Sequence, residues 1–328
     1  MDTLQPQISV IIATRNRADS LRITLECLAS AERAEIRAEV VVVDNASEDH
    51  SRELVSAFAK RIPIRYLYAP ELGTYGKSHA LNCALDSASL GEIVAVLDDD
   101  MSPHSNWFQG VMAICNRWPE KDIFSGDTYP IWPYDDVPMW ARSSALQGTI
   151  YSSVAVKGSD ISIQQSQWFS GNHWWFRSRV LKDGRRFRDI WLTEPDFQLD
   201  LIERGYSGIA GRDAVAGHRV QSALLQPTIA LDRARKGGEK AWVRIRPYRS
   251  TVRQAYLFQR HPLLARVFCI LNHLRWCAIY HFHSLFSFGG RCFDRRLIAL
   301  ERMTIAIEYV KAASQVQEYS IWRSVRRR

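Results

Sequence analysis

Four short runs rich in β-branched and aliphatic residues, ISVIIAT (8–14), EVVVVDN (39–45), IRYLYAP (64–70) and EIVAVLD (92–98), alternate with segments 19–30, 47–60, 77–86 and 105–117, which carry apolar residues at helical spacing. That alternation predicts a parallel sheet with crossover helices. In such sheets ligands gather outside the carboxyl ends of the strands. The polar residues fall there: Thr14, Arg15 and Asn16 after the first run, Asp44 and Asn45 after the second, and Asp98, Asp99 and Asp100 after the fourth. The first strand-to-helix turn reads ATRNRAD and holds no glycine, so the GxGxxG turn of the dinucleotide-binding fold is missing, which argues against a dehydrogenase.

Three adjacent carboxylates repel one another and need full solvation or a cation. If the chain stays extended, Asp98 and Asp100 project to one side, where two hard oxygen ligands can share a magnesium or manganese ion, and Asp99 points elsewhere. Beyond residue 120 the pattern breaks. Residues 121–161, including DTYPIWPYDDVPMW, read as loops or short strands. Periodicity returns in QWFSGNHWWFRSRVL (167–181) and TEPDFQLDLIERGYSG (193–208). The latter predicts a helix capped by Thr193, with Glu194 and Asp196 in its first turn and Gly205 ending it.

SVIIATRNR, VVVVDNAS, the glycine-led GKSHALNCAL (76–85) and VLDDDMSP, in this order, resemble the inverting glycosyltransferases of family 2. FSGNHWWFRSRVL resembles that family's acceptor-side segment, and TEPDFQLDLIERGY its Glu-Asp helix. The resemblance covers roughly two-thirds of the chain, and several ordered motifs are more specific than one. It implies an α/β GT-A fold, a mostly parallel sheet flanked by helices, with a C-terminal helical extension. Residues 1–228 would form the catalytic domain, with a nucleotide-binding part to about 120 and an acceptor part over 121–228. Residues 229–328 would form a basic, amphipathic helical region.

The resemblance also implies roles. Thr14, Arg15 and Asp44 would hold the base and ribose of a nucleotide-sugar donor, a UDP-sugar by preference, and Lys77 would meet its phosphate or ribose side. Asp98 and Asp99 would contact the donor. Asp98, Asp100 and His218 would hold Mn2+ or Mg2+ against the departing diphosphate. Gly171, Asn172 and Trp174 would face a glycan or lipid-linked acceptor. Aligning Arg204, Gly205 and Tyr206 with the family pattern sets its Glu-Asp pair on Thr193 and Glu194, which makes Glu194 the general base, with Asp196 a rival two residues on. Trp168, Trp174 and Trp175 suit either a sugar face or the core. RARKGGEKAWVR (233–244) resembles the basic segment that closes over the diphosphate. Two other readings are a sugar nucleotidyltransferase, which would want a glycine-rich phosphate loop after the first strand, and an inactive surface-binding protein on the same fold.

Charge divides the chain. Residues 229–328 hold 20 Lys+Arg against 6 Asp+Glu, leaving 23 against 29 for residues 1–228. Within the basic part, PLLARVFCILNHLRWCAIYHFHSLFSFGG (262–290) is interrupted by Arg266, Asn272, His273, Arg275, His281 and His283, a high price for a spanning helix. It fits an amphipathic helix or hairpin lying in a membrane interface, with RSVRRR (323–328) adding attraction to anionic lipid. The alternative is a helical domain that packs on the catalytic domain or on a second subunit, as in a homo-oligomer. No recognised nucleic-acid module is present. The six cysteines form no CxxC pair, and the first residues lack a secretory pattern, so the expected setting is cytoplasmic, peripheral on the inner face of the membrane.

Overall fold

The computed structural model describes residues 5–69, 76–87, 89–143, 146, 148, 150–153, 155–156, 158–162, 169–189, 193–239, 262–285 and 292–308. Among these, residues within 1–131, 152–164 and 168–220 form one compact unit, and those within 132–151 and 221–328 a second.

The first unit opens with the alternation read from the sequence. Strands β1 (Ile8–Thr14), β2 (Ala38–Asp44), β3 (Ile64–Tyr68) and β4 (Ile93–Leu97) are separated by α1 (Ala18–Ser30), α2 (Ser51–Phe58) and α3 (Lys77–Asp86). β1 pairs in parallel with β2 and β4, and β2 with β3. Short β5 (Met101–Pro103) and helix α4 (Trp107–Arg117) follow, then β6 (Ile123–Ile131), β7 (Ile161–Ser162), β8 (His173–Arg177), α5 (Thr193–Glu203) and β9 (Gly208–Arg219). The sheet runs β3-β2-β1-β4-β8-β6-β9-β5, with β7 on β9. β8 lies antiparallel between β4 and β6, which makes the sheet mixed.

Both faces of the sheet are buried, as parallel sheets require. Val40 and Val42 pack with Leu21, Leu25, Val55, Trp107 and Ile114 from α1, α2 and α4. Val41 and Val43 face the other way, toward Leu81 and Leu85 of α3 and Phe197 of α5. This two-sided burial explains why the runs read as nearly continuous apolar stretches.

Two expectations need correction. Residues 123–131 form a nine-residue strand where loops or short strands were expected. Only Ile123, Phe124 and Ser125 pair with β8, whereas the stretch through Pro130 pairs with β9 alone. The proline therefore sits on a half-open edge, where its missing N–H breaks no ladder. Trp174 and Trp175, both fully buried, are core side chains. Trp174 packs against Phe176, Phe187 and Phe197, and Trp175 stacks on Phe124, so neither offers a face to a sugar. Trp168 lies outside the described residues.

His173, also fully buried, sets a pH response. Its Nε2 accepts from Trp107 Nε1 at 2.8 Å, and its Nδ1 lies 3.1 Å from Thr128 Oγ1. Burial pushes its pKa down to about 3. The folded state thus refuses a proton that the unfolded chain takes up below about 6.5, so stability is full above that pH and falls toward pH 3. Between pH 7 and 4.5 wild type is expected to lose about 2–3 kcal/mol more than His173→Gln. Urea unfolding at the two pH values measures this, and equal losses in both proteins would refute it.

The second unit contains α6 (Pro227–Glu239), α7 (Pro262–Leu285) and a helix over residues 293–308. A Cβ on Gly238 would lie 2.5 Å from Thr304 Cβ, so glycine is what lets α6 approach the 293–308 helix this closely. The part of the basic segment on α6 forms local ion pairs, Arg235 and Lys236 with Asp232. Its residues 240–244, and RSVRRR, lie outside the described residues. Among the described residues no helix is long and apolar enough to cross a membrane.

Candidate active site

Strand pairing assembles the site from distant parts of the chain. Thr14 aligns with Asp44 at the carboxyl ends of β1 and β2. Leu97 aligns with His173, and one step further the Asp98 amide donates to the Asn172 carbonyl at 3.1 Å. On the far side of the acid triplet, Met101 aligns with His218 of β9, and the Arg219 amide donates to the Asp100 carbonyl at 2.9 Å.

The chain does not stay extended through the triplet. The Met101 amide donates back to the Asp98 carbonyl at 3.2 Å, closing a turn. The three carboxylates therefore diverge, and the expectation that Asp98 and Asp100 share one side is corrected. Asp98 Oδ1 meets Lys77 Nζ at 2.5 Å. Asp99 accepts from Thr14 Oγ1 at 2.8 Å and pairs with Arg17 Nη1 at 2.6 Å. Asp100 pairs with Arg17 Nη2 at 2.9 Å, while its Oδ1 lies 3.4 Å from His218 Nε2. Arg219 fixes the turn from behind, donating to the Asp99 and Met101 carbonyls.

These partners split the titrations. Burial, reinforced by Asp100 and Glu194 and opposed by Lys77, raises Asp98. Burial pushes Asp99 up to about 6 against Arg17 and Thr14. For Asp100 burial is outweighed by His218 and Arg17, which hold its carboxyl well below the usual carboxylate range. Burial alone would lower Lys77, but the Asp98 and Glu194 carboxylates hold it well above its ordinary value.

Lys77 opens α3 after Gly76, whose φ of 143° suits glycine. Its ammonium bridges Asp98 and Glu194 Oε1. Glu194, in the first turn of α5, is buried. A Cβ on Gly171 would lie 3.1 Å from the Glu194 Cδ, so the missing side chain leaves room for the carboxyl group. Asn172 Nδ2 donates to the Ser152 carbonyl at 3.1 Å, while its Oδ1 is buried without a hydrogen-bond partner. Asp196 takes another direction, its two oxygens held in the fork of Arg188 at 2.6 and 2.7 Å. Of the two acids considered as base, Glu194 is the one brought to the triplet.

At the carboxyl end of β2 Asp44 is buried and accepts from Tyr66 Oη and the Ser47 amide, both at 2.7 Å. A carboxylate has about four lone-pair sites, so capacity remains for a ligand N–H or hydroxyl. Arg15 is exposed at the strand end. Sequence reasoning did not single out Arg17, Tyr66, Arg188 or Arg219. Arg17 lies 83 positions from Asp100, Tyr66 lies 22 from Asp44 and Arg219 lies 120 from Asp99, separations that leave no local signal, and Arg188, though eight residues before Asp196, lies outside the helical pattern.

Among the described residues no three His, Cys, Asp or Glu side chains close on a common metal position. The pair that comes nearest is Asp100 and His218, and Asp100 Oδ1 is a buried oxygen without a hydrogen-bond partner.

The sequence profile described as Glycosyl transferase family 2 matches residues 9–182, more than half of the chain. The chain belongs to glycosyl transferase family 2. Glycosyltransferase AglE of Haloferax volcanii is 34% identical over 135 residues, which make up 40% of this chain and 43% of AglE. A chondroitin synthase of Escherichia coli is 35% identical over 107 residues, 33% of this chain and 15% of that protein. The match therefore spans less than half the length of these family relatives. Among solved structures, the mannosyltransferase PcManGT of Pyrobaculum calidifontis, in complex with GDP-Man and Mn2+, is 19% identical with a TM-score of 0.59, covering 94% of this chain and 88% of that one. S. aureus TarS 1-349 in complex with UDP is 16% identical with a TM-score of 0.52, covering 95% and 91%. Together these give a member of glycosyl transferase family 2 with the GT-A fold, a mixed sheet flanked by helices with further helices toward the C-terminus.

Proposed function

We propose that this glycosyltransferase moves a sugar, with inversion, from a nucleotide-sugar donor to a hydroxyl of a glycan or lipid-linked acceptor, with Glu194 as general base and Mn2+ or Mg2+ as cofactor. A UDP-sugar is the first choice of donor, and residues 1–228 are its catalytic part, with 229–328 a basic extension. The observation that carries the reading is the convergence of Asp98 and Glu194, 96 positions apart in the chain, on one ammonium, Lys77.

The residues fit the cation. Asp100 offers a buried oxygen without a hydrogen-bond partner, and the His218 imidazole stands 3.4 Å from it, a separation at which an N–H···O bond is weak. Asp100 and His218 would hold such a cation through one carboxylate oxygen and one imidazole, donors that Mg2+ and Mn2+ accept alongside phosphate and water. When bound, the cation neutralises charge on the departing diphosphate.

The chain's own groups do the rest. Asp44, Thr14 and Arg15 hold the base and ribose. Lys77 orients Glu194 and stands within reach of the phosphate side. Glu194 takes the proton of the acceptor hydroxyl as it attacks the anomeric carbon, opposite the leaving group. Gly171 leaves room for that carboxylate. A cytoplasmic setting belongs to the same proposal, supported by six cysteines that are all free thiols.

The test is nucleotide release from a panel of UDP-, GDP- and dTDP-sugars with simple glycan acceptors, with Mn2+ and then with EDTA. Release from one donor class, abolished by EDTA, is expected. Absence of both release and calorimetric binding across the panel would overturn the proposal.

A further inference from the structure

Helix α7 carries its apolar side outward. Leu264, Val267, Phe268, Leu271, Leu274 and Leu285 follow helical spacing along one stripe and are 54 to 69% exposed. The opposite side docks within its own unit through polar and aromatic groups. His273 Nδ1 lies 2.9 Å from the Met303 carbonyl, Tyr280 Oη accepts from Arg296 at 3.0 Å, and Cys269 is buried. A helix stabilised by ordinary packing places its apolar stripe inward, so this stripe is arranged for a partner outside the unit.

Charge identifies the partner. Arg266 and Arg275 are exposed, and no acid occurs anywhere in Pro262–Leu285. A second copy docking through the same stripe would bring like-charged arginines together with no acid on either helix to offset them. Anionic headgroups neutralise them while the acyl boundary takes up the leucines. At 24 residues the helix is about 36 Å long, yet it is not apolar enough to span, which leaves the plane of the interface. We propose that α7 is a membrane-surface anchor that lies in an anionic bilayer with Leu264, Val267, Phe268, Leu271 and Leu274 in the acyl boundary, Arg275, which shares their arc, extending its long side chain back to the headgroups, and Arg266 on the side turned away from the acyl chains.

The full chain is mixed with vesicles of phosphatidylcholine plus phosphatidylglycerol, and with vesicles of phosphatidylcholine alone, and flotation measures the bound fraction. Wild type is expected to float with the anionic vesicles and to be released by high salt. Leu271→Glu should weaken partitioning by at least about tenfold, and the double variant Arg266→Gln, Arg275→Gln should weaken it on anionic vesicles alone. Circular dichroism and nucleotide release in solution should match wild type for both variants, which separates lost anchoring from lost folding. Equal binding by Leu271→Glu and wild type would overturn the proposal. So would a wild type that stays off all vesicles, and if light scattering then shows a dimer that Leu271→Glu dissociates, the stripe belongs to a second copy.

Discussion

Glu194→Gln is expected to lower the transfer rate by about 10²–10⁴-fold, the range for loss of a general base, while donor affinity stays within about threefold. The substitution keeps shape and one acceptor oxygen, so α5 and the contact with Gly171 survive. What it removes is the capacity to take a proton. Asp196→Asn is the control. Asp196 sits in a bidentate pair with Arg188, and a buried carboxylate so held is a packing element. Its loss should appear as a lower unfolding midpoint, with the turnover of the remaining folded protein near wild type. Retention of more than a tenth of the rate by Glu194→Gln, with collapse in Asp196→Asn at full folding, would move the base to Asp196.

Asp100→Asn should reduce metal-dependent turnover by at least about 100-fold and shift the Mn2+ concentration needed for half-activation upward. A readout independent of activity accompanies it. Mn2+ binds the folded site and should raise the melting temperature of wild type but not of Asp100→Asn. The sign of the stability effect follows from the crowded acids. Asp99, at about 6 in the folded state, lies above its unfolded value of about 3.9, so its stabilising proton is fully in place at low pH and is lost as pH rises through 6. Ionised Asp99 therefore destabilises the protein at neutral pH, and a cation that offsets its charge is felt as stability. Asp100 itself is held low by His218 and Arg17, so its charge stabilises the fold, and the metal-free melting temperature of Asp100→Asn should lie below that of wild type. Unchanged Mn2+ activation in Asp100→Asn would make Asp100 a structural partner of Arg17 alone.

Much of the fold was legible because it is written at short range. The four runs became β1 to β4, and the helical segments became α1 to α4, with boundaries shifted by a few residues at most. The periods of 2 and 3.6 are local properties, and the two-sided burial of a parallel sheet leaves a plain trace in Val40 to Val43. The placement of the polar residues Thr14, Asp44 and Asp98 to Asp100 at the ends of their strands followed from the same pattern.

What the sequence by itself determined was therefore the architecture, the family and the strand ends at which the candidate site residues lie. Tertiary structure decided the direction of each side chain within it. The turn from Asp98 to Met101 sends adjacent carboxylates to Lys77, Thr14 and His218, partners 21, 85 and 118 residues away in the chain. Glu194 and its rival Asp196 stand in one first turn, and their surroundings separate them, since Arg188 occupies Asp196 and Lys77 meets Glu194. Trp174 looks like a sugar platform until β8 is inserted between β4 and β6, where every side chain is interior. Apart from the Arg188–Asp196 pair, eight residues apart, the deciding contacts join residues far apart in sequence, and the energy that orients the group belongs to the partner, of which the local pattern holds no record.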